Sequence, residues 1–228
     1  MPQKDTWERE YSDPQLLSLG EEPRSDLKQY MKFLRRKESV EQTGLNILEL
    51  GSGTGRNCLY LAEMGNHVVG MDISATALNI AKRRAKDTEV IVDYLLADIG
   101  APYAFDDGYF DLIIDIMSSN SLSEAERAIY MKETHRVLKK GGHFFVRTLC
   151  KDGDKNAKNM LKLHPGKEYD TYINKDMNLT ERVFSRDDFV DMYSKYFEVQ
   201  ELTKKTNYAS FKGQSYKRNY WLAYMKRT

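Results

Sequence analysis

Along the chain, short runs of consecutive apolar residues alternate with longer stretches in which apolar residues recur every three or four positions. The first pattern is that of strands buried on both faces, the second that of helices with one covered side. Strands are expected over residues 46–50, 67–71, 90–96, 110–114 and 143–149, with helices over 56–64, 74–86 and 123–138 between them. The punctuation agrees. Gly65 supplies a helix stop, Ser74 a cap, Ser123 and Glu126 the halves of a capping box, and Gly141-Gly142 a break before the next strand. Strands and helices in alternation imply an α/β sheet of parallel strands with helices on both faces.

Beyond residue 149 the pattern changes. Residues 150–184 are polar, rich in Lys and Asn, and too long for an ordinary connection, so this insertion is expected to be functional or mobile. Ser185 and Asp188 then open a helix to about residue 196, followed by strands over 198–203 and 220–224 whose closeness implies an antiparallel pair. They bring the sheet to seven strands, mostly parallel with one antiparallel strand. Ahead of the first strand, Trp7, Tyr11, Pro14 and Pro23 precede a helical stretch over 25–37. Aromatics in a polar lead segment either dock on the outside of the core or form a lid over a ligand pocket. No internal repeat is visible, and 228 residues suit a single domain.

The chemistry concentrates after the first strand. Glu49-Leu-Gly51-Ser52-Gly53-Thr-Gly55-Arg56-Asn57 joins strand to helix through glycines at alternate positions, and Asp72 ends the next strand. Glycines let the backbone approach a ligand closely, so the stretch reads as a nucleotide-like cofactor site. A dinucleotide fingerprint needs glycine where Arg56 stands, and a P-loop needs a Gly-Lys-Ser/Thr that this loop lacks.

The loop instead resembles motif I of the class I S-adenosylmethionine-dependent methyltransferases, and later motifs of that family follow in order to about residue 149. The resemblance implies a Rossmann-like fold, S-adenosylmethionine as donor and S-adenosylhomocysteine as product. It implies that Glu49 organises the loop of Gly51, Ser52, Gly53 and Gly55 and meets the donor's methionine end. Asn57 and Arg56 open the helix, where each either reaches the donor's carboxylate or simply caps. Asp72 accepts from the ribose hydroxyls and Asp98 from the adenine amino group, while Ile73 and Ile99 sandwich the purine or belong to ordinary core. Asp115 begins motif IV and joins the cofactor set. The stretch Asp115-Ile-Met-Ser-Ser-Asn120 lacks the Asn/Asp-Pro-Pro-Tyr/Phe signature of enzymes that methylate exocyclic base or glutamine nitrogens. Arg136-Val-Leu-Lys-Lys-Gly-Gly142 resembles a structural element of the family, with Lys140 in place of proline. Gly55-Arg-Asn-Cys-Leu-Tyr-Leu-Ala62 is similar to a pattern of small-molecule methyltransferases of the tellurite-resistance and thiopurine type, although helix packing alone explains Leu59, Tyr60 and Leu61. The domain then divides into an N-terminal lid and helix (1–44), a cofactor-binding core (45–149), a substrate-side insertion (150–184) and a C-terminal helix with a strand pair (185–228).

Composition narrows the partners. With 41% hydrophobic and 30% charged residues the chain is globular rather than disordered. It has no run of about 18 apolar residues and a polar start, so neither a membrane span nor a secretory leader is expected, and a cytoplasmic location is. Cys58 and Cys150 lack ligand spacing, so neither a metal site nor a disulfide is expected. The net charge is only +1, yet Lys204, Lys205, Lys212, Lys217, Arg218, Lys226 and Arg227 outnumber Glu201 over residues 199–228. Such an edge is either solvated or a nucleic-acid surface.

Methyl transfer from a sulfonium is an in-line displacement, so positioning and exclusion of water carry much of it, and a base is needed only where the acceptor must lose a proton. Acceptor contacts are expected from the lid (Trp7, Tyr11), the 118–123 loop and the insertion (His164, Tyr169, Tyr172, Arg182), with Arg147 near the end of the fifth strand. Arg147 either binds an acidic group of the acceptor or pairs with an acid of the protein. His164 is either a base or a solvated loop histidine. The expected function is methylation of a small molecule, with no membrane partner and with nucleic acid kept as a less favoured partner. The alternatives are transfer to RNA or protein, and non-catalytic binding of the donor.

Overall fold

The computed structural model describes residues 3–14, 20–211 and 214–228. Five strands, β1 (Asn46–Leu50), β2 (His67–Asp72), β3 (Asp93–Leu96), β4 (Phe110–Ile116) and β5 (Leu138–Leu149), lie parallel. A hairpin of β6 (Thr171–Asn174) and β7 (Leu179–Arg182) stands apart from them. The long strands β8 (Glu198–Phe211) and β9 (Gln214–Lys226) complete a seven-stranded sheet in the order β3-β2-β1-β4-β5-β9-β8, with β9 antiparallel to both neighbours.

Adjacent residues on each central strand enter opposite cores, which is why these strands are unbroken apolar runs. Ile47, Leu112, Ile114, Phe145 and Leu222 pack with α2 (Ser25–Lys37), α3 (Arg56–Glu63) and α4 (Ala75–Asp87). Leu48, Ile113, Phe144, Val146 and Ala223 pack with α5 (Glu124–Val137) and α7 (Arg186–Tyr193). The capping signals act as expected. The Ser74 hydroxyl accepts from the Ala77 amide at 3.1 Å, and Ser123 and Glu126 close a full capping box.

Four boundaries depart from the sequence pattern. Helix α5 stops at Val137 because Leu138, fully buried, pairs with Phe110, so Gly141 and Gly142 lie inside β5 rather than before it. Edge strand β3 begins only at Asp93, where pairing with β2 starts, and leaves Leu95 and Leu96 exposed. Strands β8 and β9 pair well past the expected residues as a two-stranded arm, whose polar sequence carries no core-facing alternation there. A helix α1 (Lys4–Ser12) forms where no apolar stripe announces one. Within the insertion, α6 (Lys155–Leu163) and the β6–β7 hairpin fold onto Leu149 and Tyr220 around a small core of Ala157, Tyr172 and Val183. Its end is pinned to the sheet: the Phe184 amide donates to the Leu149 carbonyl at 3.0 Å, and the Trp221 indole to the Phe184 carbonyl at 2.9 Å. No described helix is long and apolar enough to cross a membrane.

Candidate active site

The carboxyl ends of β1, β2, β4 and β5 open into one cavity of about 1150 Å³. Glu49, Gly51, Ser52, Gly53, Asn57, Asp72, Ile73, Asp98 and Ile99 line it, so most of the expected cofactor set comes together. Gly51 and Gly53 have φ of +72° and +54°, which favours glycine, and space forbids more. A Cβ on Gly51 would run into the Ser118 side chain, and one on Gly53 would lie 2.6 Å from the Tyr11 hydroxyl.

Asp72 is held by the loop it serves. Its carboxylate accepts from the Gly53 amide at 2.7 Å and the Ser74 amide at 2.9 Å, while burial pushes its pKa up to about 6. Glu49 accepts from the Asn57 side-chain amide at 2.7 Å and the Cys58 thiol at 2.9 Å. Burial lifts its pKa to about 7 against those hydrogen bonds. Asn57 is engaged at both ends of its amide, because its carbonyl also accepts from the Arg24 amide at 2.9 Å. Arg24 and Arg56 both line the cavity, and burial lowers both guanidinium pKa values, that of Arg24 to about 10.

Helix α1 roofs the cavity with Trp7 and Tyr11 and is fastened at both sides. The Glu8 carboxylate accepts from the Ser74 hydroxyl at 2.7 Å and the Thr76 amide at 3.2 Å, at the start of α4. On the other side, the Gln3 amide exchanges two hydrogen bonds with the backbone of Thr180 at 2.6 and 2.8 Å, and Arg9 donates to the Met177 carbonyl at 2.9 Å.

Residues 48–146 match the family model of the methyltransferase domain. Over that stretch the chain is similar to methyltransferase domains. A ubiquinone biosynthesis O-methyltransferase of Chelativorans sp. (strain BNC1) is 32% identical over 106 residues, which are 46% of this chain and 41% of that protein. The chain thus spans less than half the length of the curated relatives it matches. The fold continues further. A methyltransferase structure from Methanosarcina mazei superposes with a TM-score of 0.71 at 18% identity, over 90% of this chain and 99% of that one. A 1,6-didemethyltoxoflavin-N1-methyltransferase of Burkholderia thailandensis, with 1,6-didemethyltoxoflavin and S-adenosylhomocysteine bound, gives 0.68 at 15% identity, over 99% and 87%. The cavity sits where β1 and β4 diverge, at the switch point of the sheet.

Four expected cofactor and substrate residues, Asp115, Gly55, Arg182 and the exposed Tyr169, lie off the cavity wall. Asp115 is fully buried beneath the cavity, accepting from the Ser118 amide at 3.0 Å and the Tyr130 hydroxyl at 2.7 Å, so it shapes the turn after β4. Gly55, with φ +80°, is the left-handed N-cap of α3. Arg182 pairs with Asp188 at 2.8 Å and stacks near Tyr169 and Phe184, which commits it to the insertion's own structure. Arg147 does line the cavity, but it is buried in an ion pair with Asp26 at 3.0 Å and lies 3.7 Å from the Tyr220 ring. Tyr172 and His164 line the wall as expected.

Sequence reasoning missed Arg24, Met117, Arg218 and Tyr220, and it did not single out Leu122 in the expected 118–123 loop or Met160 and Glu181 in the expected insertion, all of which line the cavity. Arg218 was hidden in the basic edge. Part of that edge turns inward: Lys205 pairs with Asp26, Lys226 with Glu38 at 3.3 Å, and Arg218 donates to the Tyr172 hydroxyl at 2.9 Å, while Lys204 and Lys217 are exposed. Lys212 lies outside the described residues.

Proposed function

We propose that the protein transfers a methyl group from S-adenosylmethionine to a small-molecule acceptor. The observation that carries this reading is a single cavity, about 1150 Å³, that runs from Asp72 and Asp98 to Tyr172 and His164 under the roof of α1. It exceeds the roughly 300–1,000 Å³ of a pocket for one drug-sized ligand, in keeping with two occupants.

The groups on the wall suit the donor. Asp72 keeps lone pairs for ribose hydroxyls after accepting from Gly53 and Ser74. Asp98, Ile73 and Ile99 suit an adenine, and Glu49 with Arg24 and Arg56 suits the opposite charges of an amino-acid end. The Ser52 hydroxyl and Arg24 Nε are buried without a hydrogen-bond partner among the described residues, which leaves donors for a ligand. When bound, the donor supplies a methyl already activated on sulfur. The protein's part is to orient the acceptor and exclude water, and the apolar wall of Ile116, Met117, Leu122, Leu149 and Met160 favours loss of the sulfonium charge. The relatives named for ubiquinone biosynthesis and for toxoflavin N1-methylation support a low-molecular-weight acceptor.

Calorimetry with S-adenosylhomocysteine tests the donor site. Asp72→Ala is expected to weaken binding by about 1.5–3 kcal/mol, as hydrogen bonds to a charged group are lost. Labelled donor offered to a small-molecule extract and to bulk tRNA tests the acceptor. Label is expected in the extract, and selective labelling of tRNA would overturn the reading.

A further inference from the structure

The wall made by β7 and the turn Ser119–Ser121 carries polar groups that the protein leaves short of partners. Glu181 is 8% exposed and lines the cavity. Its carboxylate accepts from the Tyr172 hydroxyl at 2.7 Å and the Asn120 side-chain amide at 3.2 Å, one bond to each oxygen. An ionised carboxylate has about four acceptor places, so about half remain open. Both direct partners are neutral. Arg218 donates to the Tyr172 hydroxyl at 2.9 Å, one group removed from the acid, and its ion-pair partner is Asp154 at 3.8 Å. A buried carboxylate without a direct cation is unfavourable unless further donors reach it, and the cavity is where they can come from.

A second observation points to the same place. Ser121 is more than nine-tenths buried on this wall, and its hydroxyl has no hydrogen-bond partner among the described residues. The Gln3 side chain donates to the Ser121 carbonyl and pairs with the Thr180 backbone, which sets the turn beside β7. His164 Nδ1, on the wall of the same cavity, is likewise unpartnered among the described residues. The neighbouring surface is aromatic and apolar, with Tyr172, Tyr220, Leu122, Leu149 and Met160.

From these groups we infer that Glu181, with Ser121 beside it, is the specificity-determining hydrogen-bond acceptor of the acceptor half, and that the acceptor is a planar molecule donating an O–H or N–H to Glu181. Anionic acceptors are rejected by the carboxylate, and acceptors whose donors are capped leave it unpaired. The inference rests on the methyltransferase reading of the cavity.

Ligand-observed NMR on protein loaded with S-adenosylhomocysteine tests it, using catechol and aniline against veratrole, N,N-dimethylaniline and benzoate. The donor-bearing pair is expected to bind, and Glu181→Gln to weaken that binding at least about tenfold with S-adenosylhomocysteine affinity unchanged. Ser121→Ala, which removes only a hydroxyl, gives a smaller loss in the same direction and serves where the Glu181 variant does not fold. Equal binding to wild type and both variants, preference for the capped or anionic probes, or no binding of either donor-bearing probe would overturn the inference while the donor site stood. Failure of the wild-type protein to bind S-adenosylhomocysteine would remove the reading of the site and this inference with it, and the calorimetry distinguishes the two.

Discussion

The two halves of the cavity are built on different principles. In the half proposed for the cofactor, the groups proposed to meet it are held by near neighbours on consecutive strand ends: Asp72 by Ser74 and the Gly53 amide, Glu49 by Asn57 and Cys58. In the acceptor half, side chains far apart in the chain hold one another, as Arg218 does Tyr172 and Asp26 does both Arg147 and Lys205. The first half depends on backbone path and the second on tertiary assembly. Damage to each should therefore show in different measurements.

The sharpest break is Gly53→Val. A β-branched residue at φ +54° is strained, and its side chain would press on Tyr11 and the cavity. Binding of S-adenosylhomocysteine is expected to vanish in calorimetry while circular dichroism stays native, because the loop is local. Next is Asp26→Ala. It strands the buried Arg147 guanidinium and the Lys205 ammonium, and a loss of about 3–5 kcal/mol in urea unfolding is expected, with a smaller effect on S-adenosylhomocysteine affinity. Comparable damage to donor binding would erase the contrast between the halves.

The smallest effect is a pH dependence. Glu49 has a folded pKa of about 7 against roughly 4.3 in the unfolded chain, so the folded state holds this proton more tightly. The stability it contributes is complete below about 4.3 and is lost as pH rises through about 7. Thermal melts of the ligand-free protein should show wild type losing stability relative to Glu49→Gln across that window. A ligand ammonium beside Glu49 favours the ionised acid, so S-adenosylhomocysteine should bind more tightly as pH rises through about 7. A flat difference would place the proton elsewhere.

The same contrast explains what could be read in advance. The glycine loop, Asp72 and Asp98 were legible because a parallel strand, its turn and the next helix are contiguous, and their chemistry recurs at each strand end. The seven strands and their mostly parallel run were legible in the same periodicity, whereas their order in the sheet was not. Glu181 gave no such signal, since an acid in a short polar strand has no spacing that marks it as buried. Arg218 was counted with a solvated edge, although the fold turns it onto Tyr172. Asp115 looked like a fourth strand-end ligand, yet the Ser118 turn and Tyr130 absorb it. Helix α1 was missed because tertiary bonds from Glu8, Gln3 and Arg9 hold it, in place of an apolar face.

That last helix has a kinetic meaning. Resting on α4 at one side and on β7 at the other, α1 is a crossbar over two rooms, and it cannot lift without loosening bonds on both. Were α1 the way out, release from the cofactor side would have to break the bonds between Gln3 and Thr180, which belong to the wall of its neighbour.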